Sequence, residues 1–438
     1  MEWRRTVWTL LVLCVAASPS LAVTHFVYGG ASGSNNGTSW ANAWTTLSGI
    51  NWSSLTAGDV VCVAGGTYTS GITTGKSGTA GNSITIRRAT ASDATCGSST
   101  SGWNSAFDAQ VNMGSNTITI QNSYITIDGA VPSGIYGTVA NGGGSWLGVA
   151  AATSNVTIRY IEMSGPCPPA GCDQNSDSRA VNLDDYSSGS YLAQTDWDLY
   201  GLNMHGFCTP VISYNAPGLI IEHCRFADSI DNTSGNPNCH PNTYEDGGGS
   251  GQTFRYNEIT NWQVEGIMTC PNGGCTTDIA IYGNIWHDPY AGSYPRFLEA
   301  QGNSNGPYLV YNNTFVNMYY ECAGTANGGS FASGTIGYNN LYYGNDFTTC
   351  GLPSEDYAAS NGTTGETNGQ NGLTSSIFTN YSAKTVAGYN LSEHTNAGLN
   401  LGSPYNIDYA GNTRVTWDRG AYEFVKPSPA TNLTATPH

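Results

Sequence analysis

Charge is scarce in this chain, and lysine scarcer still. Only 10% of the 438 residues are Asp, Glu, Lys or Arg, and the lysines are Lys76, Lys384 and Lys426. Binding nucleic acid or an anionic membrane calls for a basic stripe. Residues 23–438 instead hold 12 Lys and Arg against 30 Asp and Glu, a net charge of −18, which argues against both partners. Long apolar runs are missing beyond the first 22 residues, so no later segment is expected to insert into a membrane. The opening differs. MEWRR, then TVWTLLVLCVAA, then SPSLA make a basic start, an apolar run and a small-residue cleavage site. That is the layout of a signal peptide over residues 1–22. Cys14 follows Leu13, where a lipoprotein signal calls for a small residue, so a lipid anchor is not expected. The mature protein is expected to be secreted, soluble and monomeric.

What is abundant is Gly, Ser, Thr and Asn, the material of turns, and one repeated pattern. Seven segments begin at Asn155, Asp196, Gly218, Gly251, Asp278, Tyr308 and Ser333. Aligned, they set Ile158, Leu199, Ile221, Phe254, Ile281, Val310 and Ile336 at one apolar position. Met163, Met204, Phe226, Ile259, Trp286, Phe315 and Leu341 form a second. Between them runs a ladder of Ile161, Leu202, Cys224, Asn257, Asn284, Asn313 and Asn339, with neighbours 22 to 41 residues apart. Such a period means a solenoid, and the short β-rich strands make it a β-helix. Each segment is too short to bury a core alone, but stacking makes continuous apolar columns. An inward Asn left unpaired costs about 1–3 kcal/mol. A column of Asn at a bend resolves this, because each amide can bond the turn backbone and its neighbour.

The expected fold class is therefore all-β, a right-handed parallel β-helix over residues 23–424. Its clearest rungs fall in 150–350, a capping region in 351–424, and a linker-like tail in 425–438. Export permits disulfides among the eleven cysteines that follow the signal. Close spacing suggests Cys167–Cys172 and Cys270–Cys275. Neighbourhood makes Cys62–Cys96, Cys208–Cys239 and Cys322–Cys350 plausible, although sequence leaves connectivity open. Cys224, in the ladder, reads as a buried free thiol.

VYGGASGSNNGTSWANAWTTLSGIN, AGDVVCVAGGTYTSGI and GTAGNSITIRRAT at the N-terminal end, and SPYNIDYAGNTRVTWDRGAYEF near the C-terminal end, resemble secreted bacterial β-helix proteins of the pectate-lyase-like superfamily. The resemblance covers most of residues 25–424. It implies the fold, export and a polysaccharide partner. The superfamily spans lyases, hydrolases, epimerases and proteins without known activity, so fold alone does not give the reaction.

Between the repeats lie second strands, 179–186, 209–215, 240–248, 264–270 and 296–302, which should stack into another sheet. They concentrate ionisable groups in a chain that has few. For β-elimination on a uronate glycan, a base must take the C5 proton and positive charge must steady the intermediate. In many lyases of that superfamily a Lys or Arg is the base and acidic residues bind Ca²⁺; no Lys lies in the central rungs here, so the resemblance implies Arg296 or Arg179 as the base, with Asp184, Asp185, Glu245 or Asp246 as Ca²⁺ ligands. Hydrolysis needs only two carboxyls, such as Asp246 with Glu265 or Asp184 with Glu245. His240 begins a strand bearing Glu245 and can act as base or acid near neutral pH. Tyr214, Tyr244 and Trp262, with Glu299, are candidate sugar contacts, since Tyr and Trp offer flat apolar faces with polar tips. The leading expectation is a polysaccharide lyase. A glycoside hydrolase and a non-catalytic glycan-binding or surface-structural protein are the alternatives. His287 in HDPY reads as a hydrogen-bonded structural residue.

Overall fold

The computed structural model describes residues 22–139, 143–167, 177–187, 189–231, 239–271, 277–291, 294–302 and 306–426. One coil shows the plan. Gln194–Tyr200 lies in a first sheet, Asn203–His205 in a second and Val211–Ser213 in a third; Ile220–Glu222 then returns to the first sheet beside its predecessor. Repetition builds parallel sheets of 12, 11 and 9 strands, with a small hairpin, Tyr186–Ser187 against Ser190–Tyr191, standing apart. The chain is a right-handed parallel β-helix.

The apolar columns form as the repeat requires. Ile158, Leu199, Ile221, Phe254, Ile281 and Val310 are register partners in turn, and all are buried. Met163, Met204, Phe226, Ile259, Trp286 and Phe315 do the same in the second sheet. The bend between these sheets holds a left-handed residue in each coil: Tyr160, Gly201, His223, Tyr256, Gly283, Asn312 and Asn339 all have φ between 53° and 67°. That conformation turns the next side chain inward. Asn257, Asn284, Asn313 and Asn340 therefore stack, with backbone N–H groups donating to the next amide oxygen at 2.9–3.0 Å. Their Nδ2 atoms donate to Ile221, Phe254, Ile281 and Val310 carbonyls at 2.9 Å. Cys224 continues the column as a buried free thiol.

The last rung differs from the sequence alignment by one residue. Asn340, not Asn339, joins the ladder; Val310 pairs with Gly337 and Phe315 with Tyr342. Ile336 and Leu341 are thereby moved off the inner columns, and the Tyr342 ring stacks on Phe315 at 5.1 Å. A one-residue slip exchanges the two faces of a strand, and the doublet Asn339–Asn340 allows either register on paper.

Disulfides join Cys62 to Cys96, Cys208 to Cys239 and Cys322 to Cys350, compatible with an exported protein. Cys172 and Cys275 lie outside the described residues, as do residues 1–21. No helix among the described residues is long and apolar enough to cross a membrane.

Residues beyond Ser360 run back along the corner between the first two sheets. Tyr256 Oη donates to the Ile407 carbonyl at 3.3 Å, Tyr389 Oη to Asp288 at 2.6 Å, and the Ala421 amide to Thr314 Oγ1 at 2.8 Å. This flank covers that corner, and the third sheet lies away from it.

Candidate active site

The third sheet stacks Ser178–Leu183, Val211–Ser213, Tyr244–Asp246, Glu265–Thr269, Arg296–Gln301 and Ala323–Ala326 in that order. Pleating puts alternate residues on opposite faces. Asn182, Ile212, Glu245, Met268 and Glu299 share one register column on the outer face. Val211, Tyr244, Ile267 and Leu298 face the core.

Along the outer face the ionisable and aromatic side chains touch one another in sequence. Tyr186 meets Tyr191 at 5.0 Å between ring centroids, and Tyr191 stacks on Tyr214 at 4.5 Å. Tyr214 Oη donates to Glu245 Oε1 at 2.7 Å. Asn242 Nδ2 donates to Glu245 Oε2 at 3.3 Å, and Asn242 Oδ1 lies 2.8 Å from His240 Nδ1. An amide oxygen only accepts, so Nδ1 donates in this contact and Nε2 is left for other partners. His240 Nδ1 is also 3.4 Å from Glu265 Oε2. Glu265 hydrogen-bonds Glu299, which contacts the Arg296 guanidinium. Arg296 pairs further with Glu321 and lies over the Tyr320 ring, which meets Tyr294 at 5.2 Å.

Exposure separates the layers. The His240 side chain is 53% exposed, whereas Glu265 and Glu299 are 4% and 3% exposed. Burial first, and then the Glu299 carboxylate, push the Glu265 carboxyl well above the ordinary range. The protonated form of Glu265, which can donate to Glu299, is thereby favoured. Burial pulls the Arg296 guanidinium down, but Tyr320, Glu299 and Glu321 outweigh it and raise it overall. Arg296 therefore remains charged and cannot serve as the base. Arg179 is ion-paired with Asp177 at 2.8 Å and lies two strands from Glu245. An arginine does not deprotonate in such a setting either.

Four further expectations are corrected. Tyr244 points inward, its ring stacked on Phe254 and its hydroxyl bonded to Ser213 and Gln252, so it has no face for a sugar. Trp262 is core, packed on Trp286, with Nε1 donating to the Arg296 carbonyl at 3.1 Å. Asp246 is fully buried and accepts from the Gly248 amide and Gln252 Nε2, both at 3.0 Å. Glu299 is buried, paired with Arg296 and accepting from Gln301 Nε2, so it offers little surface to a substrate. His287 is also buried, between Asp288 and Glu258 on the second sheet.

No family model matches the sequence, and no curated protein sequence matches it. Among solved structures, pectate lyase Pel9A is similar with a TM-score of 0.51 and 14% identity, over 92% of this chain and 97% of that one. The fold is the pectate-lyase-like parallel β-helix. A rhamnogalacturonan lyase (TM-score 0.42, 11% identity, 81% of this chain and 87% of that one) and an alginate lyase from Paenibacillus sp. (TM-score 0.37, 13% identity, 67% and 97%) are also similar.

The Ca²⁺ ligand set expected on this pectate-lyase-like β-helix does not fit. Asp246 faces the core while Glu245 faces out, and Asp184 and Asp185 follow the strand two positions along the sheet. Among the described residues no three His, Cys, Asp or Glu side chains are grouped to hold a metal. Burial, reinforced by Asp185 and Asp177 and opposed by Arg179, does raise the Asp184 carboxyl.

Sequence reasoning missed Asn242 and Glu321. Asn242 is fully buried and joins His240 to Glu245. In a chain this rich in Asn nothing marks it. Glu321 stands just ahead of Ala323–Ala326, and recognising that segment as a sixth stacked strand would have found it.

Proposed function

We propose that the protein is an exported carbohydrate-active enzyme that cleaves a glycan lying along the outer face of the third sheet. The observation that carries this reading is the pair His240 and Glu245, held on either side of Asn242. Hydrolysis is the reaction this pair supports best. One group must protonate the leaving oxygen and another must activate water. Glu245 takes a proton from water as its oxygen attacks the anomeric carbon. The glycosidic C–O bond breaks with its electron pair going to oxygen, and that oxygen takes the proton from Nε2 of the His240 imidazolium. Glu265 lies 3.4 Å from Nδ1 on the far side of the ring from Nε2. The site lies within one chain, so a monomer suffices.

The likeness to pectate lyase Pel9A over 92% of the chain favours a second reading, β-elimination on a uronate glycan. There His240 Nε2 would take the proton next to the carboxylate. Arg179 and Arg296 are both ion-paired, which weighs against it because the developing charge needs a free cation.

The test is a panel of pectate, alginate, glycosaminoglycans and neutral glycans, with Ca²⁺ or with chelator, reading reducing ends and ultraviolet absorbance together. Reducing ends without new absorbance are expected. A chelator-sensitive rise in absorbance would establish elimination instead. Silence on both readouts would overturn the enzyme reading and leave a glycan-binding or structural role.

A further inference from the structure

We infer that the groove accepts an uncharged glycan, with Tyr186 at one end and the Tyr294–Tyr320 pair at the other as its sugar platforms. The inference rests on the outer face of the third sheet being the working face.

The charge on that face is one-sided. Between residues 160 and 335 the basic residues are Arg179, Arg225, Arg255 and Arg296. Arg225 belongs to the second sheet, where it faces Glu258, and Arg255 to the first, where it pairs with Glu222. Arg179 and Arg296 remain on the groove side. The first is paired with Asp177, and the second is held by both Glu299 and Glu321. Glu245 faces the same side, and Asp184, with Asp185 beside it, acts together with Glu245 on Tyr191. A polyuronate brings a carboxylate on every residue and meets repulsion with no unpaired arginine or lysine to offset it. A neutral chain incurs none.

The aromatics supply what a neutral chain needs. Tyr186, Tyr294 and Tyr320 are 64%, 67% and 40% exposed, among the few large apolar side chains that stand out of the surface. Exposed rings with polar tips suit the apolar faces and hydroxyls of sugars. Tyr186 leaves the strand Ser178–Leu183, and Tyr320 precedes Ala323–Ala326, five strand steps along the sheet. At ~4.8 Å per step the platforms are about 24 Å apart. His240 and Glu245 lie between them. A ligand touching both ends spans several sugar rings and crosses the proton-handling pair. Arg296, stacked over Tyr320, is in this view a positioning residue for that ring rather than a receptor for a carboxylate.

The test is affinity electrophoresis of the full chain carrying His240→Ala, through gels containing soluble β-glucan, xylan, mannan, pectate or alginate. Retardation is expected in at least one neutral gel and in neither polyuronate gel, even at low salt. Adding Tyr186→Ala or Tyr294→Ala should each weaken the retardation at least about tenfold, with the unfolding midpoint unchanged. Equal or stronger retardation by pectate or alginate would overturn the inference, as would no retardation in any gel, or retardation indifferent to both tyrosines. Turnover of a neutral glycan that survives both tyrosine substitutions would defeat the platforms and leave the catalytic reading intact. Tyrosine-dependent retardation by a wild-type protein that turns nothing over would do the opposite.

Discussion

His240 Nδ1 lies 2.8 Å from Asn242 Oδ1, and that amide has no exposed surface. The bond fixes which ring nitrogen faces the groove. Asn242→Asp places a carboxylate where the amide was, so the charged imidazolium is favoured and the His240 pKa must rise. If His240 is the acid of hydrolysis, the basic limb of the kcat/KM profile moves to higher pH. If it is the base of elimination, the acidic limb moves instead. Asn242→Ala removes the tether, and kcat should fall about a hundredfold with KM little changed. A profile unmoved by Asn242→Asp would remove His240 from the chemistry.

Glu265 offers a stability test independent of substrate. Burial and the Glu299 carboxylate hold its folded-state pKa well above the unfolded value. The folded protein therefore binds the extra proton, and this group's stabilisation is complete below about pH 4.5 and lost as pH rises through the folded pKa. Glu265→Gln keeps the donor to Glu299 and cannot ionise. Its melting temperature should decline less than the parent's between pH 5 and 9, with the gap widening toward the alkaline end. Parallel curves for the two proteins would mean that Glu265 is ionised throughout.

The columns Ile158 to Val310 and Met163 to Phe315 are legible in the chain because stacking requires similar residues at a fixed period, and that period survives loops of uneven length. The phase of short strands is harder to read. Tyr244–Asp246 is three residues between loops, and nothing in YED says that Glu245 points outward while its neighbours point in. Assigning Asp246 to a metal and Tyr244 to a sugar follows from the same missing bit of information. The final rung slipped because Asn339 and Asn340 are the same residue type in adjacent places. The contacts of Arg296 are not legible in the sequence, since Glu321 and Tyr320 reach it from a later coil.

The Asn column should be a principal determinant of stability. Asn284 accepts from the Asn257 amide at 2.9 Å and donates to the Phe254 carbonyl at 2.9 Å and to Asn313 at 3.0 Å. Asn284→Leu fills the same space but strands these buried groups, at about 1–3 kcal/mol each. A loss of at least ~3 kcal/mol is expected from urea unfolding. Unfolding at the parent's midpoint would mean that water or backbone movement satisfies the bend without the amides.

The Cys208–Cys239 disulfide should matter to activity more than its distance from the chemistry implies. Cys239 directly precedes His240, and Thr209, next to Cys208, donates to the His240 carbonyl at 2.9 Å. The cross-link thus anchors the entry to the strand that presents the imidazole. Replacing both cysteines by alanine removes the covalent tie and leaves hydrogen bonds from Thr209 and Asn242, too little to keep a ring within the few tenths of an ångström that proton transfer needs. At least a tenfold fall in kcat is expected, with the circular dichroism of the β-helix retained. The double replacement at Cys62 and Cys96 is the control: it opens a bridge on the first sheet, far along the stack from His240, and should cost stability without the same fall in turnover. Equal losses from the two pairs would place the effect in global stability and not in the presentation of His240.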